Sequence, residues 1–95
     1  MDIQYHFVNV ESSDALKEYT KKIIDKVSVL FNRVVSVTVR FKKERSDHIV
    51  EITINGDGGV FVAEGKSTDM YASLDLVEKK LEKQVRKHRE KFISH

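Results

Sequence analysis

The side chains of this chain that can do chemistry are mostly cations, and seven of them are crowded into one stretch. Between Glu78 and Lys91 there are seven Lys or Arg against three Glu, a net of +4, whereas residues 1–77 carry ten basic and twelve acidic side chains, a net of −2. At about 100° per residue, Lys79, Lys83 and Arg86 share one sector of a helix, with Lys80, Lys87 and Lys91 beside it and Glu78 and Glu82 on the other flank. A helix that needs only solvation gains from Glu and Lys interleaved four apart. A one-sided basic stripe forgoes that gain and attracts an external polyanion, a phosphate backbone above all. Lys17, Lys21, Lys22 and Lys26 lie on an earlier helical stretch with Arg33 at its exit. If the two helices lie side by side, these residues extend the stripe into one broad positive surface.

Other chemistries find little support. The absence of cysteine excludes disulfides and thiolate metal sites and fits a reducing compartment. The four histidines, His6, His48, His88 and His95, are scattered without ligand spacing, and His88 falls on an apolar arc where it reads as a packing residue. Asp57 sits between glycines, but the further oxygen ligands of a calcium loop are missing, so a turn is the better reading. No catalytic residue, metal or cofactor is expected. The N-terminal Met1 to Tyr5 alternates polar and apolar residues and does not read as a leader, and no apolar run approaches bilayer length. The expected location is therefore the cytoplasm, with no membrane partner.

The elements that must position the cations follow from periodicity. Ile3, Tyr5 and Phe7 alternate with Gln4 and His6 as a half-buried strand. Ser12 or Ser13 can cap a helix whose Leu16, Tyr19, Ile23, Val27 and Leu30 share a face, ending near Asn32. Val34 to Lys43 alternates again, with Val35, Val37, Val39 and Phe41 inward, and His48 to Asn55 repeats the pattern with Val50, Ile52 and Ile54. Asn55 to Gly59 is a hairpin turn into Val60 to Lys66. Thr68 or Asp69 can cap a last helix with Leu74, Val77, Leu81, Val85, His88 and Phe92 on its apolar arc.

The order β-α-β-β-β-α predicts an α+β fold, a single domain over residues 1–95. Its four-stranded mixed sheet carries both helices on one face, and strands one and two are parallel neighbours. With 40% hydrophobic and 34% charged residues and no proline, the composition is that of a globular domain. The free sheet face offers Gln4, His6, Thr38, Arg40, Glu51 and Thr53, without the paired aromatics of a base-stacking platform. No recognition-helix motif for duplex DNA is present, so RNA, and not DNA, is the polyanion expected.

The run Asp69-Met70-Tyr71-Ala72-Ser73-Leu74-Asp75, followed by Lys80-Leu81-Glu82-Lys83-Gln84 and Lys87-His88, closely resembles the hallmark segment of the bacterial ribosome hibernation-promoting factor family. Asp14 to Tyr19 and Phe31-Asn32-Arg33 resemble that family's first helix and its exit, so the resemblance covers essentially the whole chain. It implies a double-stranded-RNA-binding-domain-like fold and a protein that occupies the small-subunit channel. There it would contact 16S RNA of the 30S and 70S particles where messenger RNA, tRNAs and initiation factors bind. By position, Lys80, Lys83 and Lys87 match the family's basic places on the last helix, and Lys17, Lys26 and Arg33 those of the first. Lys22, Lys79, Arg86 and Lys91 rest on the charge pattern alone. In the signature, Asp69 is read as a helix cap with Met70 and Tyr71 packed under the helix, and Ser73 as a small residue without a role.

Because the chain stops at His95, the resemblance is to the short form, which implies promotion of inactive ribosome dimers together with a ribosome modulation factor. Charge alone leaves two alternatives open: a lysine-rich face that is merely solvated and binds nothing, and a protein-interaction module whose basic helix face meets an acidic partner, such as a transcription or sigma-factor modulator. Competition by RNA separates the latter from an RNA-binding face.

Overall fold

Strand β1 (Ile3–Val8) takes the expected alternation. The computed structural model describes residues 2–93, with only the backbone given for 91–93, so the expected placements of Lys91, Phe92 and His95 lie outside the described residues. Helix α1 (Asp14–Ser28) begins at Ser13, whose extended backbone and hydroxyl, accepting from the Leu16 N–H at 3.2 Å, supply the cap. Strands β2 (Val34–Glu44), β3 (Asp47–Gly56) and β4 (Gly59–Ser67) follow, and helix α2 (Met70–Ile93) closes the described chain.

The sheet order is β1-β2-β3-β4, with β1 parallel to β2 and the remaining pairs antiparallel. The α+β class, the element order and the mixed sheet are those the periodicity predicts. One buried cluster joins the inward residues of the sheet, Val37, Val39, Phe41, Val50, Ile52 and Ile54, to Ile24 and Val27 of α1 and to Leu74, Val77, Leu81 and Val85 of α2. Each such side chain contributes about 1.5–3 kcal/mol by burial. Packing on this layer fixes the rotation of α2 and thereby the direction in which its cations point.

The helices run side by side in the same direction. At their N-terminal ends the Tyr19 hydroxyl donates to Asp75 at 2.7 Å, and the Tyr19 and Tyr71 rings meet edge to face at 5.1 Å. At the other end Arg89 Nη1 donates to the Leu30 carbonyl at 3.3 Å.

Three local expectations are corrected. Helix α1 stops at Ser28 and not near Asn32: the N–H groups of Leu30 and Phe31 bond back to the Val27 and Ser28 carbonyls at 3.0 Å, a three-residue tightening that ends the helix. This turn brings Phe31 edge to face with Phe61 at 5.2 Å, and Leu30 reaches the core from outside the helix. Val35 is 66% exposed, because a register irregularity between Val34 and Ser36 interrupts the alternation and sends Val34 to the core in its place. Tyr71 is 38% exposed, so of the signature residues only Met70 packs beneath α2, while Asp69 Oδ1 accepts from the Tyr71 N–H at 3.2 Å.

Ser73 has more to do than a small residue need. It is fully buried, donates to the His48 carbonyl at 2.6 Å and shares a hydrogen bond with the Ser67 hydroxyl at 2.8 Å, tying the first turn of α2 to β3 and to the end of β4.

Candidate nucleic-acid interface

The apolar stripe of α2 faces the sheet, so the residues opposite it in the 3.6 repeat face solvent. Lys79, Lys83, Arg86 and Lys87 are all exposed, and among the described residues none of them has a carboxylate within ion-pair distance. They line two adjoining shallow depressions. One, of about 400 Å³, also has Glu82 and Glu90 in its wall. The other, of about 270 Å³, is formed by Lys80, Lys83, Gln84 and Lys87 and has no carboxylate at all. An anionic oxygen is favoured in the second, which three lysines and no carboxylate line.

The remaining cations named from the sequence fall into different settings. Lys80 Nζ donates to the Glu64 carbonyl at 2.6 Å, which uses one of its three donors and leaves two for a ligand. Lys17 is half-buried, its ammonium over the rings of Tyr5 at 5.5 Å and Phe7 at 5.9 Å, a cation–π contact that turns it toward β1 and away from α2. Lys22 and Lys26 are exposed and lie three and seven residues after Tyr19, on the flank that meets α2. By the same spacing Glu78 and Glu82 follow Asp75 along the facing flank of α2. The positive surface expected from the sequence is therefore interspersed with carboxylates, Glu82 lining the same depression as Lys79, Lys83 and Arg86.

Arg33 is exposed on the loop between α1 and β2, and that loop is held by a residue sequence reading assigned only to a turn. Asp57 and Gly58, with φ of 50° and 75°, form a tight two-residue turn between β3 and β4. The Asp57 carboxylate accepts from the Arg33 N–H at 2.8 Å and the Asn32 N–H at 3.0 Å, while its own N–H donates to the Arg33 carbonyl at 3.0 Å. These two N–H groups, Asn32 first, hold the Asp57 carboxyl below its ordinary value. Its folded value being lowered, the clamp is fully formed at neutral pH and is lost as pH falls below about 4, the ordinary aspartate value, and on through the folded one. The Asn32 and Arg33 amide proton shifts are therefore expected to titrate together in acid, and Asp57→Asn is expected to abolish that titration. Amides that do not move in the native protein would refute the clamp.

Arg89 and Gln84 are further positioning side chains missed from the sequence. Arg89 lies eight residues after Leu81 and four after Val85, a spacing that places it at the edge of the buried stripe beside α1. Gln84 is four residues from Lys80 and donates to the Val62 carbonyl at 2.8 Å.

Fold and ridge together define a small single-core α+β domain that presents one polycationic helix face. Residues 3–93 match the family described as sigma 54 modulation protein / S30EA ribosomal protein, and the chain belongs to that family. It is 36% identical over 93 residues to the ribosome hibernation promoting factor of Azotobacter vinelandii, covering 98% of this chain and 85% of the relative. It is 34% identical over 87 residues to the factor of the same name from Salmonella typhimurium, covering 92% of each. Among solved structures, a ribosomal subunit interface protein from Coxiella burnetii superposes with a TM-score of 0.82 at 28% identity, over 94% of this chain and 98% of that one. The N-terminal domain of Protein Y from Thermus thermophilus, at 24% identity, shares the fold with a TM-score of 0.83, over 93% of this chain and 99% of that one.

Proposed function

We propose that this domain is a ribosome hibernation factor that docks on the small subunit by laying the exposed face of α2 on 16S RNA in the decoding channel. Occupancy there excludes messenger RNA, tRNA and initiation factors, and with ribosome modulation factor the bound chain promotes inactive ribosome dimers. It acts by binding and not by catalysis, in the cytoplasm. Membership of the family and the names of the relatives support the ribosome as partner. The observation that carries the RNA contact is the depression of Lys80, Lys83, Gln84 and Lys87, a site built from cations without a carboxylate. No helix among the described residues is long and apolar enough to cross a membrane.

The test is co-sedimentation of the purified chain with 30S and 70S particles across a salt series, with an assembled initiation complex as competitor. Binding is expected to fall with a log–log slope of about 0.7 to 0.9 per phosphate neutralised. The initiation complex is expected to displace the chain, and ribosome modulation factor added to the bound 70S particles is expected to shift them to a faster, paired species. A flat salt response, or binding undiminished by the initiation complex, would overturn decoding-channel occupancy.

A further inference from the structure

β4 ends the sheet, so its outer side has no strand partner. Such an edge pairs readily with another chain unless something covers it. Two features mark this one. Val60 and Val62 stand 65% and 45% exposed beside it, β-branched residues of the kind that favour cross-strand pairing. The carbonyls of Val62 and Glu64, which would accept from an added strand, are already occupied by Gln84 Nε2 at 2.8 Å and Lys80 Nζ at 2.6 Å.

The fit of helix to edge is geometric. Lys80 and Gln84 are one helical step of four residues apart, a rise of about 6 Å. Val62 and Glu64 are one strand repeat of two residues apart, about 6.8 Å. The later helix residue reaches the earlier strand residue, so α2 runs antiparallel to β4 and its side chains fall on successive outward carbonyls.

We propose that Lys80 and Gln84 are a guard over β4, and that the surface they close is one which accepts β4 of a second copy of this chain in antiparallel pairing. A twofold axis at Val62 sets Val62 against its counterpart and Val60 against the other copy's Glu64, extending one sheet across both molecules. In the native chain the guard opposes this twice: the two carbonyls are taken, and the Gln84 side chains of the two copies, both held at Val62, would collide at the axis. This role stands apart from RNA binding, since it needs no ligand.

Sedimentation equilibrium of the full chain over a wide concentration range tests it. The native chain is expected to remain at its monomer mass of 11.0 kDa, while the Lys80→Ala/Gln84→Ala variant doubles that mass as concentration rises. A Lys83→Ala/Lys87→Ala variant, which loses more charge but keeps the guard, is expected to stay monomeric. Adding Val62→Lys to the unguarded variant is expected to restore the monomer by placing a charge on the edge. A folded Lys80→Ala/Gln84→Ala variant that stays monomeric would overturn the proposal. So would association that survives Val62→Lys, or a native chain that already dimerises. If the double variant does not fold, the single replacements, each freeing one carbonyl, carry the same expectation and the same refutation.

Discussion

Replacing Lys83, Arg86 and Lys87 together by glutamate is expected to weaken 30S binding by about 100-fold at moderate salt and to lower the log–log salt slope by about 2 to 3. The melting temperature is expected to stay within a few degrees of the native value, because all three side chains are exposed and none has an ion-pair partner among the described residues to lose. The choice of residues matters. Lys80 is left in place, since its bond to the Glu64 carbonyl makes its replacement a change to the β4 edge as well as to the ridge. Lys17 is left because its ammonium lies over Tyr5 and Phe7, so reversing it would put a carboxylate against two ring faces and disturb β1. Filter binding or co-sedimentation at several salt concentrations, paired with thermal melts, reads both quantities. A folded triple variant that keeps the native affinity and slope would remove the α2 ridge from the interface.

The contrast between α1 and α2 shows what was legible in the residues and what was not. Periodicity alone located both helices and every strand, because one-sided burial imposes a period of 2 or 3.6 on the apolar positions, and here Val37, Val39, Phe41, Leu74, Val77 and Leu81 all obey it. The outward direction of Lys79, Lys83, Arg86 and Lys87 follows from the same rule. Val35 escaped it because a bulge depends on how two strands register, which no single strand records. Lys17 and Lys80 escaped it for a related reason: a helical wheel gives the sector in which a side chain leaves the backbone, not whether a ring or a carbonyl waits beside it. Asp57 is the furthest case. Its Asp-Gly turn is plain in the sequence, but its partners at Asn32 and Arg33 are 25 and 24 residues away and reach it only once the hairpin folds against the α1 exit.

Gly65 shows how closely the scaffold must fit before the ridge can be presented, and its replacement by alanine is expected to be strongly destabilising. A Cβ there would run into the Ser73 carbonyl, with Val77 Cγ2 at 2.9 Å and Leu76 Cβ at 3.2 Å. The first obstacle is backbone, so it can yield only by lifting the N-terminal half of α2 away from β4. That movement also strains the Ser73 bonds to His48 and Ser67, which need α2 at its present depth. Overpacking of this kind together with a weakened buried hydrogen bond costs about 3 kcal/mol, or about 15 °C in Tm for a domain of this size. Gly58 supplies the comparison: its φ of +75° is the left-handed conformation, yet nothing lies within 4 Å of an added Cβ, so Gly58→Asn is expected to lower Tm only slightly. Below its own melting point the Gly65→Ala variant still carries an intact ridge and is expected to bind 30S particles with the native salt slope, the inverse of the triple charge reversal. Thermal melts beside salt-dependent binding for both variants separate scaffold from surface. A Gly65→Ala variant melting within about 2 °C of the native chain would mean that α2 does not rest on β4 as closely as the geometry requires.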